Sequence, residues 1–371
     1  EWDSGYIQPY VFYQKNEMDG KPSYDGPSSK LQQVRLFDQP EPFEDEFTMV
    51  NFTYNQDFGE LMNLVVSLSN IDREFTNAED LTDQTFAAVG EFETDGVYAD
   101  ELVELDDTTF EARLSSTNDF MLQWMAGVYY KDSEADSGYR MQRGFDPNLS
   151  IYGLANTQDN KTYEEYAVFG DISIDLGERF TLAVGGRYLD YDYSQYKEDW
   201  GFVYAGDSGG TSQDEANILD LDVSDDDIHG RLTATYHFTD VAQAYATVSN
   251  GSRPGGGNRS IPRSDNPANT TAFACDQDLD ALGISGSPDS YFGDEVVNTE
   301  LGWKTDIGDR VRFNGAVYYM KWEDIQQLVN TSGDCGFNFT TNVGDAVSQG
   351  LELEMYTAIT DNLGMNFALG Y

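Results

Sequence analysis

Residues 162–193, TYEEYAVFGDISIDLGERFTLAVGGRYLDYDY, read as two strands joined by a tight turn. In the first strand Tyr166, Val168, Gly170, Ile172, Ile174 and Leu176 share one face, and Glu165, Ala167, Phe169, Asp171, Ser173 and Asp175 share the other. After Gly177-Glu178-Arg179 the apolar face continues through Phe180, Leu182, Val184, Gly186 and Tyr188, opposed by Thr181, Ala183, Gly185 and Arg187. A period of two gives a sheet with one greasy and one polar side. Full charges stand on the polar side and tyrosines close the apolar one. That pattern suits a barrel with lipid outside and water or packed polar groups inside.

The same unit recurs along the chain. Six hairpins carry short turns, at residues 57–60, 117–119, 177–179, 239–240, 307–309 and 360–362. Between them lie long polar connections, at residues 15–46, 74–109, 132–161, 194–226, 252–294 and 325–346. A soluble sandwich turns at both ends at similar intervals, whereas outer-membrane barrels combine short periplasmic turns with long extracellular loops. The expected fold is therefore all-β: a transmembrane antiparallel β-barrel of roughly 13 strands, each about 9–14 residues long and able to cross at a tilt. That count is odd, no signal peptide is present, and the chain opens at Glu1-Trp2 and stops at Tyr371 within a strand pattern. These features read as an internal piece of a longer chain.

Composition agrees. The chain has 371 residues with 24 Tyr, 22 Phe and 35 Gly but only 10 Pro, a β-rich usage. Mean hydropathy is -0.54, and no apolar run is long enough for a membrane helix. Acidic residues number 67 against 21 basic, a net charge of -46. Nucleic acid is excluded as a partner, since phosphate neutralisation needs a basic face. The acidic excess fits a surface in high salt or one that holds divalent cations, and spreading it over external loops limits self-repulsion. Tyr129, Tyr130, Tyr188, Tyr191, Tyr193, Tyr318, Tyr319 and Trp322 gather at loop-side strand ends, and Phe58, Phe120, Phe180 and Phe238 beside the short turns. Two such belts fit anchoring at the two interfaces, in contact with outer-membrane lipid and lipopolysaccharide.

Five stretches, Leu122–Asp132, Tyr166–Tyr188, Arg231–Asn258, Asn298–Gln326 and Thr341–Tyr371, together resemble the barrel of TonB-dependent outer-membrane receptors, in that family's order. Its most specific parts are SNGSRPGG at 249–256 and GLELE at 350–354; Ser252 and Gly257 stand where family members often carry an aromatic. The resemblance implies a bacterial outer-membrane active-transport receptor, with this chain a partial domain, residues 1–371, of a 22-stranded barrel. The family's plug domain is absent from the chain. Through that plug the receptor would couple to the TonB-ExbB-ExbD complex and import a scarce solute, an iron–siderophore-type complex first of all. A passive diffusion porin, a surface adhesin barrel and an oligosaccharide-specific TonB-dependent importer are the alternatives.

On the resemblance, Asp171, Asp175, Arg187, Arg231, Arg312, Glu352 and Glu354 line the lumen wall and face the plug. Ligand contacts are expected from external loops: Arg253, Asn258, Trp200, Tyr204 and Phe292, with Tyr152 and Phe273 as further rings able to stack on a sugar or a catecholate. Cys275 and Cys335 fall in consecutive external loops, where an oxidising exterior favours a bridge between them, two free thiols being the alternative. Asp220, Asp222, Asp225, Asp226 and Asp227 crowd the expected end of one loop. Calcium favours clustered carboxylates, so Asp225, Asp226 and Asp227 are the one metal candidate, but EF-hand spacing is missing and a solvated acidic run is the plainer reading. No cofactor is implied. Nothing supports an enzyme: His229 and His237 share a strand outside any HExxH, and no GxSxG elbow or P-loop occurs.

Overall fold

The computed structural model of the chain describes residues 2–20, 41–81, 96–118, 120–143, 154–201, 216–258, 261, 263–267, 270–332 and 334–371. Its strands are β1 (Gly5–Met18), β2 (Phe43–Phe58), β3 (Met62–Asp80), β4 (Val97–Ser116), β5 (Leu122–Arg143), β6 (Ala155–Asp175), β7 (Phe180–Trp200), β8 (Asn217–Thr239) and β9 (Ala242–Arg253). There follow β10 (Gly256–Gly257), helix α1 (Thr270–Ala281), β11 (Ser290–Tyr291), β12 (Asp294–Ile307), β13 (Val311–Glu323), β14 (Gln326–Asn330), β15 (Asn338–Asn342), β16 (Ala346–Thr360) and β17 (Leu363–Gly370). Thirteen of these form one antiparallel sheet in the order β1-β2-β3-β4-β5-β6-β7-β8-β9-β12-β13-β16-β17. The strand count and the six short hairpin turns agree with the alternation in the sequence.

Pairing confirms the two faces. Ile172 pairs with Val184, which pairs with Leu232, while Asp171, Gly185 and Arg231 share the opposite face. Val168, Ile172, Val184, Leu232 and Leu301 are exposed on the outer face, as a lipid-facing surface requires. Along β7 that apolar band runs from Phe180 to Tyr188, about 26 Å of strand at roughly 3.3 Å per residue, which at a tilt of about 40° covers about 20 Å of a barrel's lipid band.

The strand lengths depart from expectation. β7 has 21 residues and β8 has 23, so much of the expected loop at 194–226 is sheet. Likewise β3 and β4 invade the expected loop at 74–109, and β5 and β6 that at 132–161. Beyond Tyr188 the outer face becomes Asp190, Asp192, Ser194, Tyr196 and Glu198, so the apolar period gives way to polar residues with a single tyrosine while the backbone ladder continues. These upper halves stand in water and need no greasy side. Much of the acidic charge expected in loops therefore lies on strands.

The sheet thus has a high wall and a low wall. Strands β3 to β8 are 19–23 residues long, whereas β9, β12 and β13 have 12, 14 and 13. Pairing between β8 and β9 runs from Thr239↔Ala242 to Arg231↔Ser249, and β8 then continues upward to Asn217 along β7 alone among the described residues.

Seated on the low wall is a small cap. It comprises β10, α1 and β11 from the β9–β12 connection, and the β14–β15 hairpin from the β13–β16 connection. Cys275, Leu279, Cys335, Phe337 and Phe339 form its core with Ile261, and this core reaches Ala155, Tyr139 and Met141 on the inner face of the high wall. Cys275 and Cys335 are disulfide-bonded, tying α1 to the loop of the hairpin. Arg263 adds a polar clamp, donating to Asp276 at 2.6 Å and to the Ile284 and Gly286 carbonyls at 3.0 Å.

Candidate functional site

Below the cap, where high and low walls part, lies a cavity of about 840 Å³. Its high-wall side is formed by Tyr163 and Glu165 of β6, Arg187 and Tyr191 of β7, and Asp225, Asp226, Asp227 and His229 of β8. Its low-wall side is formed by Ser252 to Pro254, Phe292 to Glu295 and the β13 end at Glu323 and Asp324. Strand alternation puts Tyr163, Glu165, Arg187 and Tyr191 on one face, and Tyr163 and Tyr191 stack with ring centres 5.8 Å apart. Tyr191 with Leu189 and Ala167 makes a small buried cluster behind them.

Both guanidiniums of the cavity are committed. Arg187 is ion-paired with Glu165 and lies 4.8 Å above the Tyr129 ring. Arg253 donates to Asp294 through Nε at 3.0 Å and lies 5.0 Å above the Trp322 ring. Asp294 is nearly sealed from solvent, and burial pushes its carboxyl up. Hydrogen bonds from Arg253, the Gln326 amide and Trp322 outweigh that and hold it below the usual carboxylate range. Asp227 follows the same logic: burial raises it, but Ser252, the Ile228 amide and His229 hold it low.

The Arg-Pro-Gly-Gly segment turns inward here. A Cβ on Gly257 would collide with Gln195 Oε1 and crowd Leu219 and Leu221, all on the inner face of the high wall. Gln195 itself donates to Asp159 at 2.7 Å and accepts from the Tyr193 hydroxyl at 2.9 Å, so it has little room to yield. Glycine is what lets this segment lie flat against the wall.

Among the expected ligand contacts, Arg253 and Phe292 line the cavity, Phe292 with 81% of its surface exposed. Asn258 is buried as a cap brace, donating to the Pro288 and Thr340 carbonyls at 2.7 and 2.8 Å and accepting from the Thr340 amide. Its amide is consumed by backbone and does not reach the cavity. Trp200 sits at the far end of β7 opposite Asn156, and Phe273 lies in α1, both away from the cavity lining. Tyr204 and Tyr152 lie outside the described residues.

The wall charges pair among themselves. Arg231 reaches across Gly185 to Asp171 at 2.7 Å; a Cβ at Gly185 would stand 2.6 Å from that carboxylate. Asp175 accepts from Thr181 at 2.6 Å, and Arg312 holds Asp306 at 2.8 Å. Glu352 and Glu354 pair with Ala316 and Asn314 on the same face as Arg312. The loop-side aromatics divide between faces. Tyr130, Tyr188 and Tyr319 face outward, whereas Tyr129, Tyr191, Tyr193, Tyr318 and Trp322 share the inner face by strand parity. The outer girdle is thus thinner than expected, and the remaining rings serve the cavity and its packing.

The aspartate run sits within β8, not at a loop end, and its members alternate faces: Asp225 and Asp227 opposite Tyr191 and Leu189, Asp226 opposite Asp190. It blunts the open edge of β8. Asp225 accepts from the Asp226 amide at 3.0 Å, Asp227 from the Ile228 amide at 2.7 Å, and Asn250 of β9 from the Gly230 amide at 2.7 Å. Among the described residues no three acidic, histidine or cysteine side chains gather as a metal would need. The edge role was not legible, because it depends on β8 outrunning β9.

The TonB dependent receptor-like β-barrel family matches residues 2–371. The chain belongs to the TonB-dependent receptors. Like them it is an outer-membrane β-barrel chain of Gram-negative type. It is 26% identical over 231 residues to the pesticin receptor of Yersinia enterocolitica, covering 62% of this chain and 28% of that receptor. Among solved structures it resembles the ferric yersiniabactin uptake receptor FyuA from Yersinia pestis, with a TM-score of 0.72 and 14% identity over 99% of this chain and 49% of that one. The siderophore receptor PiuA from Acinetobacter baumannii gives a TM-score of 0.58 and 16% identity over 98% of this chain and 54% of that one. The chain therefore spans about half of these solved receptors and about a quarter of the curated relative. At such identities the structural likeness fixes the TonB-dependent receptor fold, and the residues of the cavity must be read on their own chemistry.

Proposed function

We propose that the protein captures a scarce extracellular solute, an iron–siderophore-type complex, in the cavity below the cap. It then passes the solute inward with energy delivered by TonB and its ExbB-ExbD partners. The observation that carries this reading is the 840 Å³ cavity itself, large enough for a chelate and walled by stacked rings and held guanidiniums at the outer mouth of a receptor barrel. The wall supplies binding and a route, and no bond chemistry. The names of the relatives, a pesticin receptor and a ferric yersiniabactin uptake receptor, support a receptor, and the second supports an iron chelate as its ligand.

The test is uptake of radiolabelled iron chelates by cells whose own receptors are deleted and which carry the complete protein. Uptake is expected to vanish when TonB is deleted or the proton-motive force is collapsed. Uptake that survives both treatments means a passive pore and ends the receptor reading.

A further inference from the structure

The cavity is charged in one direction. Its two guanidiniums are already neutralised, Arg187 by Glu165 and Arg253 by Asp294, and each is stacked on a ring. An incoming anion would meet spent cations. The other charged lining is carboxylate, Asp225, Asp226 and Asp227 on β8 and Glu295, Glu323 and Asp324 at the low-wall rim, with His229 bonded to Asp227 at 3.2 Å. Lys321 ion-pairs with Glu323 from outside the cavity lining, and carboxylates still outnumber cations around the cavity.

A second feature points the same way. Tyr163 stands in the lining, backed by the buried ring of Tyr191, and Phe292 stands exposed at the lip. Aromatic faces beside carboxylates are the chemistry that receives an organic cation, the ring quadrupole and the charge pulling together. The whole chain, at net charge -46, adds a long-range field that concentrates cations and repels anions at the mouth.

Resting on the capture reading above, we infer that the cavity selects solutes bearing positive charge, a cationic metal chelate or one with a free amine, over anionic chelates of similar size. A ferric tris-catecholate, strongly anionic, is disfavoured on charge.

The test uses the complete receptor and three ferric chelates. One is a linear trihydroxamate with a free ammonium arm, the second is the same chelate with that amine acetylated, and the third is a tris-catecholate. The first two differ by one charge and little else. Binding is followed by quenching of tryptophan fluorescence, with Trp322 beside the cavity. The ammonium form is expected to bind roughly tenfold more tightly than the acetylated form, and the tris-catecholate most weakly. Raising salt from about 50 mM to about 500 mM should narrow the gap. Glu323→Gln, at the rim and away from the β8 edge, should narrow it as well, without the folding risk of Asp227→Asn. Equal binding of the first two, or tighter binding of the tris-catecholate, overturns the charge inference and leaves the capture reading standing. If none of the three binds, the capture reading falls and takes this inference with it.

Discussion

The high wall and the cap are both made of polar sequence, yet they are held by different physics. The upper part of β5, β6 and β7 is sheet on sheet register, with backbone ladders continuing where the apolar period has stopped. Its inner face buries polar groups: Gln195 is 3% exposed and Asp199 1%. Such groups are tolerable there because they bond one another, as Gln195 does with Asp159. Among the described residues the cap has little ladder, two two-stranded pairs and one helix, and depends on a core of a few side chains plus a disulfide. Sheet hydrogen bonding is distributed, so one lost side chain costs the wall little. A small core is concentrated, so one lost side chain can undo the cap.

The sharpest way to break this comparison is to hollow the cap. Phe339 is 1% exposed at the centre of its core. Phe339→Ala should cost about 3–5 kcal/mol, which exceeds what so small a unit can lose. Hydrogen exchange of α1 and the β14–β15 hairpin should rise to that of open loops, while the amides joining β6 to β7 stay protected. Faster exchange in both would show one cooperative unit and defeat the distinction.

Removing the disulfide is the next largest step. It closes a loop of sequence separation 60, so Cys275→Ser with Cys335→Ser should destabilise the cap by about 2–4 kcal/mol. Reductant applied to the unmodified protein should reproduce the change in exchange, again confined to the cap. Gly257→Val comes third, at about 1–3 kcal/mol, because the added atoms press on Gln195 and Leu219. Here both regions should feel the change, since this is where cap and wall meet.

Acid probes the same seam more gently. The Asp294 carboxyl is held below its ordinary value in the folded state, so folding favours its ionised form. The stabilisation from its bonds to Arg253 and the Gln326 amide is fully present above the unfolded carboxylate value of about 4 and fades as pH falls through the lower folded value. Protection of the amides at the β12 start, measured against the unstructured amide at the same pH, should fall below about pH 4 and be constant from there to neutrality. Asp294→Asn should abolish that pH dependence.

What the sequence revealed and what it hid follow from these same differences. Alternation in residues 162–193 was enough for the sheet, its faces and its short turns, because half of each lipid-crossing strand must be apolar. The upper strands were hidden because Tyr191, Gln195, Lys197 and Asp199 alternate with Asp190, Asp192 and Glu198, polar against polar. Helix α1 left a faint trace, Ala272, Cys275 and Leu279 on one helical face, lost in a connection read as loop. Arg253 and Phe292 could be picked out for the site by residue type, but Arg187 and the pair Tyr163 and Glu165 reach the cavity from strands β7 and β6, two and three strands before β9. Which part of β8 would lack a neighbour, and so what the aspartates do, required the relative heights of two strands.

The smallest expected effect belongs to the wall and completes the contrast. Arg231 and Asp171 are 58% and 25% exposed at their side chains, facing a hydrated interior across Gly185. A pair so open to water is worth at most about 1 kcal/mol, since solvent screening offsets most of its attraction. Arg231→Ala should therefore leave the melting of the barrel almost unchanged. It does leave Asp171 facing the lumen without its cation, so the local potential becomes more negative. If the wall is held by its ladder, the variant differs from the native protein in lumen charge and in little else. A melting shift as large as that of the disulfide-free protein would mean that side-chain pairs, and not backbone pairing, hold the lower sheet together.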